Sequence, residues 1–292
     1  MYEKVGRNGS SGIAPSRLPC KFKAFYVHLS MNLDLTDKRA IVCGSTQGIG
    51  KAIAIELAQL GASVTLVARN EAKLQQTTQE LDSAKGQQHD YLVADFSKPD
   101  ELVQQLQVYL QQHEQVHILV NNTGGPAGGP IVNAKPEEFL SAFNMHLINN
   151  HNLAQAVVPL MKKAGYGRII NIISTSVKQP LQGLGVSNTI RGAVASWAKT
   201  MANELGQFGI TVNNVLPGAT RTGRLESIIE NKAKKTDSAV DKVEEEMMAE
   251  IPARRFAEPE EVAAAAAFLA TPAAAYINGI NVPVDGGRTG SL

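Results

Sequence analysis

Cysteine is nearly absent from this chain, with two in 292 residues, Cys20 and Cys43. Two thiols build no disulfide framework, and Cys43 falls in an apolar run expected to be buried, so a reducing, cytoplasmic setting is expected. Aromatic residues make up only 5% and tryptophan occurs once, so the core must be filled by Val, Ile, Leu and Ala within a hydrophobic content of 43%. A surplus of one charge is missing too: 28 Lys and Arg against 27 Asp and Glu leave a net +1. Such a balance sets up no global field that would draw nucleic acid or a membrane surface. The basic residues are scattered without interleaved aromatics, which again excludes a nucleic-acid binder. No apolar run reaches the roughly 18 residues that a membrane helix needs. His28, His89, His113, His117 and His151 stand at no spacing from Cys, Asp or Glu that suggests a metal site, and none is expected.

Residues 1–30 differ from the rest. They carry Gly, Ser, Pro, Lys and Arg without a period and precede a second methionine, Met31, so they are expected to be a disordered extension outside the fold. Lys4, Arg7, Arg17, Lys21 and Lys23 outnumber Glu3, which leaves a transit peptide open beside an upstream extension or misplaced start. Residues 31–292 read as one α/β domain.

The richest stretch is Ala40 to Gly50, Ala-Ile-Val-Cys-Gly-Ser-Thr-Gln-Gly-Ile-Gly, a short apolar run that breaks into three glycines and then into a helical pattern. Gly44 lets the chain turn off the strand, Gly48 clears space for a pyrophosphate, and Gly50 lets the helix lie close to the sheet. The free amides at the helix start, with the positive end of its dipole, then face an anion. Strand before and helix after is the context that gives this glycine spacing its meaning.

Strands and helices continue to alternate. Ser63 to Ala68, Tyr91 to Ala94, His117 to Val120, Arg168 to Ile173 and Ile210 to Val215 read as strands. Asn70 to Leu81, Glu101 to Gln112, Pro136 to Lys163 and Ser187 to Phe208 read as helices. Near-continuous apolar strands between amphipathic helices predict a doubly wound parallel sheet covered on both faces, a Rossmann-like architecture, with ligands beyond the carboxyl ends of the strands. A polar segment over residues 223–250, rich in Lys and Glu, reads as helical and either as a solvated helix pair or as a cover over the substrate.

Several ordered motifs resemble the short-chain dehydrogenase/reductases, in particular the 3-oxoacyl-(acyl carrier protein) reductases. They are Gly44-Ser-Thr-Gln-Gly-Ile-Gly50, Asp95, Asn121-Asn122-Thr123-Gly124, Gly167-Arg-Ile-Ile-Asn-Ile-Ile-Ser174, Gly209-Ile-Thr-Val-Asn213, Pro217-Gly218, and Tyr276-Ile-Asn-Gly279 leading into Val284-Asp-Gly-Gly287. The resemblance covers Leu33 to Gly287. It implies a seven-stranded sheet, a nicotinamide dinucleotide, a small carbonyl, alcohol or acyl-thioester substrate, and a homotetramer or homodimer. By position it puts Gly44, Ser45, Thr46, Gln47, Gly48, Ile49 and Gly50 at the dinucleotide, Asp95 and Phe96 at the adenine, and Asn122 and Gly124 at the adenosine-side ribose. Pro217, Gly218, Thr220 and Thr222 fall at the nicotinamide and its phosphate. Relatives that use NAD(H) carry an acid at the end of the second strand. This chain has Ala68 followed by Arg69, whose planar guanidinium suits a 2′-phosphate, so NADP(H) is favoured over NAD(H).

The resemblance breaks at the chemistry. Family members protonate the substrate oxygen with a tyrosine, assisted by a lysine four residues later, a serine and usually an asparagine. Ser174 occupies the serine position, but thirteen residues on the chain reads Ser187-Asn-Thr-Ile-Arg191. No tyrosine occurs between Tyr166 and Tyr276. An alkyl hydroxyl ionises far too weakly to replace a phenol, and Arg191 keeps its proton at any working pH, so Arg191 can hold the cofactor ribose but cannot relay a proton. The asparagine position holds His146, whose ordinary pKa of about 6.5 suits proton donation. The sequence therefore predicts an NADP(H)-dependent oxidoreductase on CH–OH donors with His146 as acid, directly or through water, and Ser174, Ser187 and Arg191 around the substrate oxygen. A helix-packing role for His146 stands beside that reading. Two alternatives remain: reduction of an enoyl or dienoyl thioester, where water protonates carbon, and a catalytically inactive NADP(H)-binding regulator or scaffold.

Overall fold

The computed structural model describes residues 31–291. The extension expected over residues 1–30 lies outside the described residues.

The alternation read from the sequence becomes β1 (Arg39–Cys43), α1 (Gly48–Gln59), β2 (Ser63–Ala68), α2 (Glu71–Gln79), β3 (Asp90–Val93), α3 (Pro99–Gln112), β4 (Ile118–Asn121) and α4 (Pro136–Phe143). A π-helical turn, Asn144–Ile148, joins α4 to α5 (Asn149–Ala164) without a break. There follow β5 (Gly167–Ile172), α6 (Gly185–Leu205), β6 (Ile210–Pro217), α7 (Gly223–Thr236), α8 (Val240–Ala249), α9 (Pro259–Ala270) and β7 (Asn281–Val284).

All seven strands run parallel in one sheet, in the order β3-β2-β1-β4-β5-β6-β7. The order reverses between β1 and β4, which opens a crevice beyond their carboxyl ends. Both faces are covered, which is why the strands read as continuous apolar runs rather than as alternations. On one face Ile53 and Leu57 of α1, Leu74 of α2 and Val262 and Ala266 of α9 pack on the sheet. The alanine run of α9 lets that helix lie close beside α1. On the other face Leu102 and Leu106 of α3, Val157 and Met161 of α5, and Ala198 and Ala202 of α6 cover Cys43, Leu119 and Ile169. Trp197 and Met201 pack at the margin of that cluster as core residues.

The sheet also carries a polar row that sequence reading missed. Asn121, Asn171, Asn214 and Asn281 stand in register on β4, β5, β6 and β7. Asn121 Nδ2 donates to Asn171 Oδ1 at 2.8 Å, Asn171 Nδ2 to Asn214 Oδ1 at 2.9 Å, and Asn214 Nδ2 to Asn281 Oδ1 at 2.8 Å. Each buried amide is satisfied by the next strand, so the four side chains lock the strand register that their backbones share. At the row's end Asn121 Oδ1 is buried with no hydrogen-bond partner among the described residues.

The polar segment over residues 223–250 folds as α7 and α8 around a small apolar cluster of its own, formed by Leu225, Ile229, Val243, Ile251 and Phe256. Among the described residues, no helix is long and apolar enough to cross a membrane.

Candidate active site

The glycine loop leaves β1 with Gly44 at φ 60°, a left-handed conformation that other residues rarely adopt. Gly50 sits against that turn: a Cβ there would come within 2.5 Å of Asn122 Nδ2 and closer still to the Gly44 carbonyl oxygen. Gln47 precedes α1 in extended conformation and gives no side-chain cap, so the first amides of α1 have no side-chain acceptor. Such bare amides fit a phosphate. Across the crevice, Thr222 approaches Gly48, its Cγ2 lying 3.1 Å from where a Cβ on Gly48 would stand. Thr46 and Gln47 lie at the loop's tip, while Ile49 packs inward against the core.

Several residues expected to face a dinucleotide with their side chains turn inward instead. Ser45 is fully buried, and its hydroxyl accepts a hydrogen bond from the Val67 amide at 3.0 Å, closing the end of β2. Phe96 is buried in the core, and its carbonyl accepts from Asn149 Nδ2 at 2.7 Å. Asn122 Nδ2 donates to the carbonyls of Cys43 and Gly44, both at 3.2 Å, and so braces the glycine loop. Thr220 is buried and donates to the Gly218 carbonyl, while Gly218 lies close against Asp285. For these positions the side chains support the loops, and only backbone groups are left to face a ligand.

At the adenosine end, Arg69 is exposed immediately after β2. Its charge reaches Asp95, whose carboxyl is held below the usual range, first by the Ser97 amide at 2.9 Å and then by burial and nearby cations working in opposite directions. An exposed guanidinium beside an alanine, where an acid would repel a 2′-phosphate, is a donor set that fits NADP(H) better than NAD(H).

Ser174 lies two residues beyond β5 in extended conformation, and its Oγ accepts from the Ser176 amide at 3.1 Å. Ser187 is half-buried in the first turn of α6. One turn further on Arg191 is buried, and its Nη1 donates to the Ile172 carbonyl at 3.1 Å, two residues short of Ser174. Helix α6 packs against both the π-helical turn that carries His146 and the segment after Ser174, and the charge of Arg191 reaches His146.

The tyrosines among the described residues are elsewhere. The Tyr91 hydroxyl lies between Gln75 and Glu71, Tyr109 pairs with Thr65 at 2.6 Å, and Tyr166 donates to the Ala270 carbonyl at 2.6 Å. Tyr276 is fully exposed on the loop that leads into β7. Among the described residues no phenol stands beside Ser174.

His146 departs from expectation. It is buried, and its Nδ1 pairs with Thr123 Oγ1 at 2.6 Å. Burial first, and then the charge of Arg191, pushes the imidazole down to about 3. The ring is therefore neutral at physiological pH, not the ready cationic acid that its ordinary pKa suggests. Its Nε2 is buried without a partner among the described residues. Sequence reading placed Arg191 at the same site as His146 but did not see Thr123 as its partner, nor that burial and that nearby cation would lower the imidazole. Burial also pushes the Cys43 thiol up to about 12, so that sulfur is a packing group and not a nucleophile.

A seven-stranded parallel sheet, a glycine loop at its switch point and a serine just beyond β5 define a class, and comparison with known proteins agrees. Residues 44–289 match the family described as enoyl-(acyl carrier protein) reductase. The chain belongs to the short-chain dehydrogenase/reductases, a family of NAD(P)-dependent oxidoreductases. It is 34% identical over 258 residues to the 3-oxoacyl-[acyl-carrier-protein] reductase FabG of Pseudomonas aeruginosa, covering 87% of this chain and 98% of that protein. It is 31% identical over 260 residues to the NADPH-dependent reductase BacG of Bacillus subtilis, covering 88% and 100%. Among solved structures, L-sorbose reductase from Gluconobacter frateurii, complexed with NADPH and L-sorbose, superposes with a TM-score of 0.83 at 29% identity, covering 89% of this chain and 100% of that one.

Proposed function

We propose that the protein is an NADP(H)-dependent reductase of small carbonyl or acyl-thioester compounds, and that its acceptor is a carbon–carbon double bond conjugated to the carbonyl. One observation carries this reading: no phenol stands beside Ser174 among the described residues, and the imidazole nearby is neutral. Bound NADPH would supply a hydride, and the glycine loop and Arg69 would hold it. Ser174 and Ser187 would donate hydrogen bonds to the substrate carbonyl oxygen as hydride reaches the β-carbon and the π electrons move onto that oxygen. The α-carbon then takes its proton from water as the carbonyl re-forms, so no strong side-chain acid is required. Helices α7 and α8 would cover the substrate and exclude bulk solvent from it.

Carbonyl reduction is the second reading, supported by the named activities of the relatives and by the free Nε2 of His146, which could hold a proton-bearing water beside the oxygen. Loss of NADPH absorbance with crotonyl thioester but not with acetoacetyl thioester or simple ketones is the expected result. Turnover of the ketones alone would favour the second reading, and NADPH binding without turnover of any acceptor would leave a binding protein. In the same assay Arg69→Glu should weaken NADPH about 10- to 100-fold while leaving NADH nearly unchanged, because it removes a charge-assisted pair to the 2′-phosphate. An unaltered NADPH preference would refute that role for Arg69.

We infer too that the working form is a cytoplasmic homodimer or homotetramer, a reading supported by the exposed apolar Tyr276 and Ile280 next to β7. Light scattering should give a multiple of the 31.2 kDa chain mass, and a monomer at micromolar concentration would refute it.

A further inference from the structure

Two guanidinium groups converge beside Gly125, in the loop after β4. Measured from the point where a Cβ on Gly125 would stand, Arg224 Nη2 is 3.6 Å away and Arg191 Nη2 is 3.9 Å away. Arg191 is buried and belongs to α6, whereas Arg224 is exposed and belongs to the first turn of α7. Arg224 Nη2 donates to the Pro126 carbonyl at 2.6 Å, which fixes it over the β4 loop. Among the described residues neither guanidinium forms an ion pair with a carboxylate. Arg191 Nη1 is satisfied by the Ile172 carbonyl, leaving Nη2 turned toward Gly125.

Two like charges held around one point, one of them buried, are unfavourable unless an anion completes the arrangement. The repulsion is felt at the buried partner: burial, and then the charge of Arg224, lowers Arg191 to about 10. A third group adds to the case. His146 Nε2, buried without a partner among the described residues, lies within the electrostatic reach of Arg191.

We propose that Arg191 and Arg224 clamp a carboxylate carried by the substrate, so that the preferred acceptor bears, besides its conjugated double bond, a free carboxylate near the group being reduced. This rests on the reductase reading above. The cofactor's own phosphates have other partners in that reading, the bare amides of α1 and Arg69. Arg224 instead belongs to the segment that would cover the substrate. A planar guanidinium binds carboxylate through paired hydrogen bonds, and two such groups from different helices would fix its position and close α7 over it.

Calorimetry on the protein saturated with NADP+ tests this without turnover, using levulinate and methyl levulinate as probes. Levulinate is expected to bind about 10- to 100-fold more tightly than its ester, the range for charge-assisted hydrogen bonds. Arg224→Ala should remove most of that ratio while leaving NADP+ affinity within about twofold, and Arg224→Lys should keep part of it. Equal binding of acid and ester to the unaltered protein would overturn the clamp. So would an Arg224→Ala variant that weakens NADP+ and leaves the acid-to-ester ratio untouched, because the anion held would then be the cofactor's pyrophosphate. Arg224 is exposed, so its replacement is compatible with folding. Because the probe is not reduced in this experiment, a chain that binds levulinate as expected but never consumes NADPH would retain the clamp and lose the reductase reading.

Discussion

Gly50→Ala is expected to abolish dinucleotide binding and to lower the unfolding free energy by about 3 kcal/mol, the upper range for overpacking a tight site. The added methyl would stand within 2.5 Å of Asn122 Nδ2 and closer still to the Gly44 carbonyl, and both neighbours are fixed. Gly44 is held at φ 60° and its amide donates to the Val67 carbonyl at 2.8 Å, while Asn122 is held by its two bonds to the Cys43 and Gly44 carbonyls. The clash can be relieved only by moving α1 away from the sheet, which displaces the amides that would face the pyrophosphate. Urea unfolding and titration of NADPH fluorescence check the two halves separately. Parent-like values in both would mean that the loop is far softer than its packing implies.

Asn171→Leu should destabilise the protein by roughly 2–5 kcal/mol, because it strands two buried amide groups at once. Asn121 Nδ2 would lose its acceptor and Asn214 Oδ1 its donor, in the middle of the sheet where water cannot replace them. Replacing Asn121, Asn171 and Asn214 together by leucine should cost less than the single change, since the two fully buried pairs lose both partners and only Oδ1 of the half-buried Asn281 is left without its donor. Denaturant unfolding of the single and triple variants is the measurement. A triple variant markedly less stable than Asn171→Leu would show that the row stabilises through packing and not through amide pairing.

The two changes differ in how far they could be read in advance. Gly50 was legible because the glycine loop is local: strand, turn and helix start lie within eleven consecutive residues, and the spacing itself states which glycine must lie against the sheet. The asparagine row was not legible. Its members are separated by 50, 43 and 67 residues, and only the pairing of parallel strands brings them into register. The same contrast runs through the site. Arg69 could be placed at the end of β2 because it follows directly on that strand, and Ser187 and Arg191 could be placed on the helix after β5 because helical spacing is local. Ser45, Phe96 and Asn122 lie in the expected loops, yet their side chains brace those loops, since a loop that presents backbone to a ligand needs its own side chains for support.

By itself the sequence determined the architecture and the position of the glycine-loop crevice, because apolar period and glycine spacing are local properties. Only the tertiary structure decided the state of His146 and the partnership of Arg191 with Arg224. A pKa depends on how much water a fold removes and which charges it brings near, and an anion site made from two helices has no spacing in the chain. Burial and convergence arise when distant segments pack, and that packing turned an expected acid into a neutral ring and placed two cations around Gly125.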